Sequence, residues 1–335
     1  MSHAPQTDLL VIGAGVLGLS IAAEAATRGV ETLLVAAEER DRTAVSAASF
    51  ACINVHEKQP EAYTRLHLRA IAAHHELDGR VGDGAAWLRI IGADFFGEHH
   101  ADWGYVDVDA YGRAHSSALE AAGGRIRRGV RVLSITPGSG RAPVLVETTA
   151  GAIAAHRVAI AAGAGTSELV PGRLRTPRLA ATAGLPGFLA RVSGESPVDR
   201  VVVEHELSVR PDGPGRFAVQ SLALEHEFER TGRRASAAAV RAPLAERIGR
   251  RYGLALREDA IISVDEAPRP ISPDGLPVLG LLAPEIYVAI THSGVNLAPL
   301  IGRAAVDELL GTADADFAPF RPDAAPQPTH RRRKP

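Results

Sequence analysis

A glycine-rich turn near the start of the chain restricts the possible folds more than any other feature. Residues 13–18 read G-A-G-V-L-G, between the apolar run 9–12 and the amphipathic stretch 19–27. Gly13 permits a tight turn, Gly15 lets a pyrophosphate approach the backbone, and Gly18 lets a helix pack closely on a strand. Residues 32–35 form a second apolar run. The pattern predicts a parallel βαβ unit that binds a dinucleotide at the start of its helix.

The end of the second predicted strand lacks the carboxylate that usually binds the adenosine ribose. Ala36 stands at that place, about 20 residues beyond the turn, and Glu38 and Glu39 follow it. A longer strand would bring Glu38 to the ribose; otherwise other groups hold it. Arg40 and Arg42 come next, so that a 2′-phosphate on NADP stays open as an alternative.

Composition sets broad limits on the class of protein. A chain of 335 residues predicts about two domains. The formal net charge of −2 gives no electrostatic case for nucleic-acid binding. The single cysteine, Cys52, excludes an intramolecular disulfide and a cysteine metal site. No apolar run reaches the roughly 20 residues of a membrane span, and residues 1–7 leave no room for a signal peptide, so we expect a cytoplasmic protein without membrane contact.

Histidines are frequent early in the chain but show no spacing typical of a metal site. We therefore predict no metal and expect surface positions for these residues, which are His56, His67, His74, His75, His99 and His100.

A segment rich in small residues and hydroxyls, 42–54, follows the second strand. Ser46 and Ser49 are able to donate to phosphate oxygens, and Ala47 permits close approach of a flat ring; an ordinary Ser/Ala loop is the alternative. The expected elements up to residue 165 are helices at 61–77 and 110–122, the latter capped by Asp109, strands at 103–108, 131–136, 144–148 and 157–160, and a small-residue turn at 161–165.

The middle of the chain changes character. Alternating patterns around Pro-Gly turns predict an antiparallel sheet, inserted into the first domain. The elements expected beyond residue 180 are strands at 185–192, 200–210, 216–224, 260–264 and 285–290, helices at 242–252 and 297–310, and a rigid turn at 269–277.

Several motifs together resemble the D-amino acid oxidase and glycine oxidase family of FAD-dependent amine oxidoreductases. They are VIGAGVLGLSIA at 11–22, SAASFACIN at 46–54, VAIAAGAG at 158–165, RPDGPGR at 210–216, APRPISPDGLPVLG at 267–280 and YVAITHSGVNLAPLIGRAA at 287–305. The last two are the most specific, because a generic dinucleotide-binding enzyme has no reason to carry them.

The resemblance implies an α/β fold, with a Rossmann-type FAD-binding domain built on a parallel sheet and an inserted antiparallel-sheet substrate domain. The expected FAD-binding domain comprises 1–80, 104–180 and 266–320, the substrate domain comprises 81–103 and 181–265, and 321–335 is a disordered tail.

The resemblance also implies the site. No cysteine lies near the C-terminal motifs, so the FAD would be held non-covalently. Arg269 would bind the substrate carboxylate through its planar fork, and His292 would contact the flavin edge or the substrate amine, unless its role is structural. The implied cofactor-binding residues are Gly13, Gly15, Val16, Leu17, Gly18, Glu38, Ser46, Ala47, Ser49, Asn54, Ala162, Gly163, Gly294, Val295, Asn296 and Leu297, the last four through backbone N–H groups.

The implied activity is oxidation of a small amine or amino acid to the imine, by hydride transfer to flavin N5. An NADP-dependent reductase is one alternative. Only about 25 residues separate Leu77 from Trp103, where relatives carry a longer segment that walls the active site. A non-catalytic flavoprotein subunit that supports a partner chain is therefore the other alternative, and a homo-oligomer stays open.

Overall fold

The computed structural model describes residues 6–39, 44–139, 142–179, 183–231 and 236–325. The α-helices of these residues are α1 (Val16–Thr27), α2 (Ala44–Ala47), α3 (Glu61–Leu77), α4 (Val108–Ala121), α5 (Thr166–Leu169), α6 (Leu222–Arg230), α7 (Ala237–Tyr252) and α8 (Gly294–Leu309). The strands are β1 (Gln6–Ile12), β2 (Thr32–Val35), β3 (Cys52–Ile53), β4 (Leu88–Ile90), β5 (Ala93–Phe95), β6 (Glu98–His100), β7 (Gly104–Val106), β8 (Arg125–Arg127), β9 (Val132–Thr136), β10 (Val144–Thr148), β11 (Gly151–Ile160), β12 (Ala183–Ser193), β13 (Val201–Val203), β14 (Ser208–Pro211), β15 (Arg216–Gln220), β16 (Ile261–Pro270), β17 (Val278–Ala283) and β18 (Ile286–Ile290).

The large sheet contains the predicted parallel core. Its main path runs β17-β18-β11-β1-β2-β8, and all neighbours except β17 and β18 pair in parallel. β9 and β10 continue from β11 as an antiparallel meander. Leu9 and Val11 point into one apolar cluster, and Leu10 and Ile12 point into another, so β1 is buried on both faces. Such burial explains the unbroken apolar run in the sequence.

Helices α1, α3, α4 and α8 cover one face of this sheet. α1 and α8 pack very closely, because a side chain at Gly302 would lie 2.8 Å from the Cβ of Ser20. The start of each helix, Val16 and Gly294, is therefore held near the other. This contact joins two parts of the chain that are far apart in sequence.

The second sheet is mostly antiparallel, in the order β16-β12-β15-β14-β13-β5-β6. Helices α6 and α7 cover one face, where Phe188 and Phe217 pack against Leu224 and Leu244. On the other face, Leu189 and Ala218 pack against Phe50 and Tyr105. The segment around Phe50 therefore lies between the two sheets, and together they confirm the predicted fold class. β3, β7 and β4 form a small third sheet.

Four predicted boundaries were wrong for local reasons. The cap of α4 is Asp107, not Asp109, because its Oδ1 accepts from the N–H of Ala110 at 3.0 Å. The predicted strand 200–210 is a hairpin of β13 and β14. The predicted strand 216–224 ends at Gln220, because the Ser221 hydroxyl caps α6. α7 begins five residues before the predicted start at 242, behind a serine cap, Ser236.

Arg269 lies in a strand and not in the predicted turn. β16 continues from Ile261 to Pro270 because it pairs with β12 along almost its whole length. The end of β16 reaches α2 and the turn at Gly163–Gly165. The second sheet therefore fixes the position of the arginine, next to α2 and this turn.

The expectation of surface histidines was wrong for His67 and His74. Both are fully buried on the inner side of α3. Arg40 and Arg42 lie outside the described residues, as does the chain beyond residue 325. In the described part of the chain, every helix is too short or too polar to cross a bilayer.

Candidate active site

The glycine turn has the geometry that its sequence predicts. Gly13 has φ of 106°, and a Cβ there would lie 2.5 Å from the carbonyl oxygen of Ala161. A Cβ at Gly18 would lie 1.8 Å from the carbonyl oxygen of Gly13. Both positions thus exclude any side chain. Gly15 is the N-cap of α1, so the free N–H groups of the first helical turn lie beside an open backbone.

Elements from four parts of the chain meet around this turn. The N–H of Val16 donates to Oγ of Ser46 at 3.4 Å, so the serine hydroxyl keeps its own hydrogen for another acceptor. Ala162 lies against Gly13, with its Cα 3.1 Å from the position of a Cβ there. A Cβ on Gly294 would lie 3.7 Å from Val16.

Half-exposed residues around the glycine turn form a strip among buried neighbours, which we call the seam. Its members are Gly13, Gly15, Ser46, Ser49, Asn54, Ala162, Gly163 and Gly294. Ala47, between them, is buried and presents no polar group. The seam offers backbone N–H groups, serine hydroxyls and bare backbone, which suit a diphosphate followed by a flat ring. The residues present therefore fit a dinucleotide cofactor.

β2 does not extend as far as Glu38, which was one of the two alternatives for binding the ribose. The strand ends at Val35, and Ala36 is buried, with its N–H and carbonyl both bonded to the segment that holds Arg127 and Val130. Glu38 is exposed beyond the strand. The alternative of a longer strand is therefore wrong, and Glu38 lies in the loop that follows β2.

The start of α8 presents a second set of free N–H groups. The N–H of Leu297 donates to the carbonyl of Ser293 at 3.1 Å, which makes it the first intrahelical bond. The prediction that Leu297 offers its N–H to a flavin was therefore wrong, and Gly294, Val295 and Asn296 remain. Nδ2 of Asn296 donates to the carbonyl of Asn54 at 3.1 Å. Its Oδ1 is buried and has no hydrogen-bond partner among the described residues.

His74 holds the start of α8 in place, a role that the sequence did not reveal. Its Nε2 lies 3.0 Å and 3.2 Å from the carbonyl oxygens of Val295 and Asn296. Both partners only accept, so Nε2 carries the hydrogen, and Nδ1 accepts from Nε1 of Trp87 at 3.2 Å. Burial lowers the pKa of His74 to about 4, which keeps it neutral.

Arg269 lies in an ion pair that fixes its guanidinium. Its Nη2 lies 2.7 Å from Oε2 of Glu225, whose side chain is 1 % exposed, against 26 % for the arginine. Oε1 of Glu225 also accepts from the N–H of Phe188 at 3.2 Å. The guanidinium lies over Gly187, where a Cβ would be 2.7 Å from Nε. Glu225 and Gly187 thus fix the guanidinium, with Nη2 taken by the carboxylate.

His292 lies directly before Ser293, the N-cap of α8. It is exposed, yet burial of its surroundings, followed by the charges of Lys58 and Arg269, lowers its pKa to about 4. The ring is therefore neutral at neutral pH. Tyr63 donates from its hydroxyl to Oγ of the adjacent Ser293 at 2.8 Å, which links α3 to the start of α8.

Metal chemistry has no support in the site. The described residues hold no group of three or more potential metal ligands. Cys52 is half-buried, and desolvation raises its pKa to about 12, so it stays a thiol.

Comparisons with known proteins agree with this geometry. The model of the family described as DAO, FAD dependent oxidoreductase, matches residues 8–89 and 85–308. Comparison with curated protein sequences gave no match.

Solved structures share the fold over nearly the whole chain. Glycine oxidase from Geobacillus kaustophilus is 21% identical, with a TM-score of 0.75 over 95% of this chain and 98% of that one. L-amino acid deaminase from Proteus vulgaris is 16% identical, with a TM-score of 0.75 over 96% and 98%. NikD, described as an unusual amino acid oxidase essential for nikkomycin biosynthesis, is 18% identical, with a TM-score of 0.76 over 96% and 98%.

Proposed function

The chain belongs to the DAO family of FAD-dependent oxidoreductases, and on that premise we propose that it oxidises a small amino acid or amine to the imine. The observation that carries the proposal is the seam where the starts of α1 and α8 meet beside the fixed guanidinium of Arg269. Two helix starts suit the two electron-rich ends of a flavin dinucleotide, and the arginine suits a carboxylate.

Family membership makes FAD the cofactor in place of NADP. We assign its diphosphate to the turn at Gly13–Gly18 with Ser46, and its ribose to Glu38, which would reach it from the loop after β2. Its ring is assigned to the stretch 47–54 with Ala162 and Gly163. The free N–H groups of Gly294, Val295 and Asn296 would face the pyrimidine end. The hold is non-covalent, because the thiol of Cys52, which is the one cysteine of the chain, is half-buried and protonated.

FAD supplies the acceptor for a hydride at its N5. The chain itself has only to hold the substrate, orient its carbon and exclude water. The N–H groups of Arg269 that Glu225 leaves free donate to the substrate carboxylate, and Glu225 holds the guanidinium in place. The ring of His292 is uncharged, so it does not repel a substrate ammonium. We propose hydrolysis of the imine by water after release.

Substitution of Arg269 tests the assignment of the substrate. Arg269→Lys keeps the charge and loses the fork, so KM should rise strongly. Arg269→Ala removes the cation that pairs with the substrate carboxylate, and loss of a buried charge-pair partner typically costs about 3–5 kcal/mol, or roughly two to four decades in kcat/KM. Bound FAD should stay at the wild-type level in both variants. If Arg269→Ala reduces as fast as wild type with its best substrate, the substrate carries no carboxylate at this place.

The non-catalytic subunit is the remaining alternative, since the segment between α3 and β7 is short for the family. It predicts a flavin that no amine or amino acid reduces, in wild type as in the variants.

A further inference from the structure

A strained peptide lies in the stretch 47–54, which we assign to the flavin ring. Ala51 has φ of 58°, in the left-handed region that residues with a Cβ rarely adopt. The residue is buried, and its methyl group makes no hydrogen bond that would stabilise this backbone locally. Strain of this kind persists only where the surroundings impose it, and it is concentrated at functional sites. The contacts of this peptide therefore show what holds it.

Both polar groups of the peptide between Phe50 and Ala51 are hydrogen-bonded to side chains. The carbonyl of Phe50 accepts from Nε of Arg210 at 3.0 Å. The N–H of Ala51 donates to Oγ of Ser49 at 3.1 Å. Rotation of this peptide would relieve the strain at Ala51 but would turn both groups away from their partners. The two side chains thus act together against the relaxed conformation.

Arg210 is itself fixed in β14 of the second sheet. The residue is 3 % exposed, and its Nη1 lies 2.8 Å from Oδ1 of Asp212. The guanidinium carbon lies 4.1 Å from the centre of the Tyr105 ring. Tyr105 belongs to β7, where it pairs with Cys52 of β3. The arginine therefore holds the strained peptide from a rigid sheet, and its charge is paired with Asp212.

The hydrogen bond from Ala51 also decides how Ser49 meets the cofactor. The serine oxygen accepts from Ala51, so its own hydrogen is left to donate. Ser49 is half-exposed in the seam, whereas its neighbours Ala48 and Phe50 are buried. A rotated peptide would withdraw the N–H and leave the hydroxyl free to turn. The fixed peptide therefore presents Ser49 to the cofactor as a donor.

We propose that Arg210 is a positioning residue for the flavin. It holds the peptide between Phe50 and Ala51 in its strained orientation, and it thereby presents the hydroxyl of Ser49 as a donor to the ring of FAD. This inference rests on the proposed function. It gives the second sheet a direct part in the cofactor site, because Arg210 reaches the stretch 47–54 from β14.

The test uses the full chain with the substitution Arg210→Lys. Lysine keeps the charge beside Asp212 but has a methylene group in place of the Nε–H that bonds to Phe50. The control is Arg191→Lys. The side chain of Arg191 is 13 % exposed and belongs to the same charged cluster, since its ion pairs go to Asp212 and Asp265.

Amide hydrogen exchange at Ala51 is measured first, by NMR on the protein as purified and relative to the amides of β1. We expect this exchange to become at least tenfold faster in Arg210→Lys and to stay within twofold of wild type in Arg191→Lys. An unchanged rate in Arg210→Lys overturns the proposal, as does an equal increase in both variants. The measurement needs no turnover, so a flavin that no amine or amino acid reduces counts against the proposed function alone.

FAD affinity is measured second, in two double-mutant cycles. Arg210→Lys should raise the Kd for FAD at least tenfold on its own, but less than threefold in the background of Ala51→Gly, because glycine adopts this φ without strain. Its effect should also stay below threefold in the background of Ser49→Ala, since the hydroxyl that Arg210 positions is then absent. A tenfold effect that persists in either background overturns the proposal, because Arg210 would then be a core residue alone. A chain that takes up no FAD overturns it together with the cofactor assignment.

Discussion

At the scale of single residues, the site depends on how Arg269 is held. The sequence identified the arginine through its motif but not its partner, because Glu225 lies in helix α6, which the sequence did not predict. Gly187, on the neighbouring strand, was not identified either. Its backbone has ordinary dihedral angles, so the need for glycine arises only from the guanidinium that lies across it.

Gly187→Ala should therefore weaken substrate binding without removing the cofactor. The new methyl group would lie 2.7 Å from Nε of Arg269, so the guanidinium must move. We expect KM for an amino acid to rise about tenfold, which corresponds to about 1.4 kcal/mol. Gly172→Ala is the control, since a Cβ there meets no atom within 4 Å. Equal KM values in the two variants would show that Arg269 does not touch the substrate.

At the scale of elements, the sequence predicted the helices and strands that follow from a local residue pattern. α1, α3 and the central parallel strands follow from apolar runs, helical periodicity and glycine stops. The hairpin of β13 and β14, the helix α6 and the full length of β16 did not follow. β16 pairs with β12, and β13 pairs with β5, which are far away in sequence. The start of α6 is set by its cap, Ser221, which the alternating pattern concealed. The roles of His67 and His74 were missed for the same reason, since a histidine's burial depends on what packs against its helix.

The anchoring of α8 by His74 gives a prediction at this scale. His74→Phe should lower the free energy of unfolding by about 2–4 kcal/mol, because the buried N–H of Trp87 and two carbonyl contacts lose their partner. The Kd for FAD should rise about tenfold, because the start of α8 is no longer fixed. Urea unfolding and FAD titration check the two values. The neighbouring His75→Phe, on the exposed side of α3, should leave both near wild type. Lost stability with unchanged FAD affinity would make His74 a core residue only.

At the scale of the whole molecule, buried neutral histidines make the fold sensitive to acid. Burial is the largest cause that lowers the pKa of His67 to about 2 and of His74 and His115 to about 4, from an ordinary 6.5. Each folded-state pKa lies below the unfolded value, so the unfolded chain takes up protons first on acidification. Their contribution to stability is complete above pH 6.5 and is lost as the pH falls from 6.5 toward 4.

His115 offers a clean measurement of this effect. Its ring stacks on Tyr111 with centres 3.9 Å apart, so His115→Phe keeps the stacking and removes the titration. Between pH 6.5 and about 4, each such histidine costs about 1.4 kcal/mol per pH unit. The fall in unfolding free energy from pH 6.5 to 5.5, at constant excess FAD, should therefore be smaller in His115→Phe by up to that amount. His75→Gln should keep the wild-type dependence, and an identical slope in His115→Phe would contradict the account.

The sequence alone does not show how the residues of the seam come together. Gly13 and Gly294 come together through the close packing of α1 on α8, and local periodicity carries no sign of that contact. The resemblance to a family supplied it. His74 and Glu225 stand outside the family motifs and became visible only through their contacts with the start of α8 and with Arg269.

The most direct test of the central claim is the visible spectrum of the purified protein before and after anaerobic addition of a panel of amino acids. We predict a yellow protein whose flavin is released into the supernatant by acid and whose flavin band is bleached by at least one amino acid or amine. A colourless protein that takes up no FAD would contradict the cofactor assignment. A yellow protein that no amino acid or amine bleaches would contradict the catalytic role.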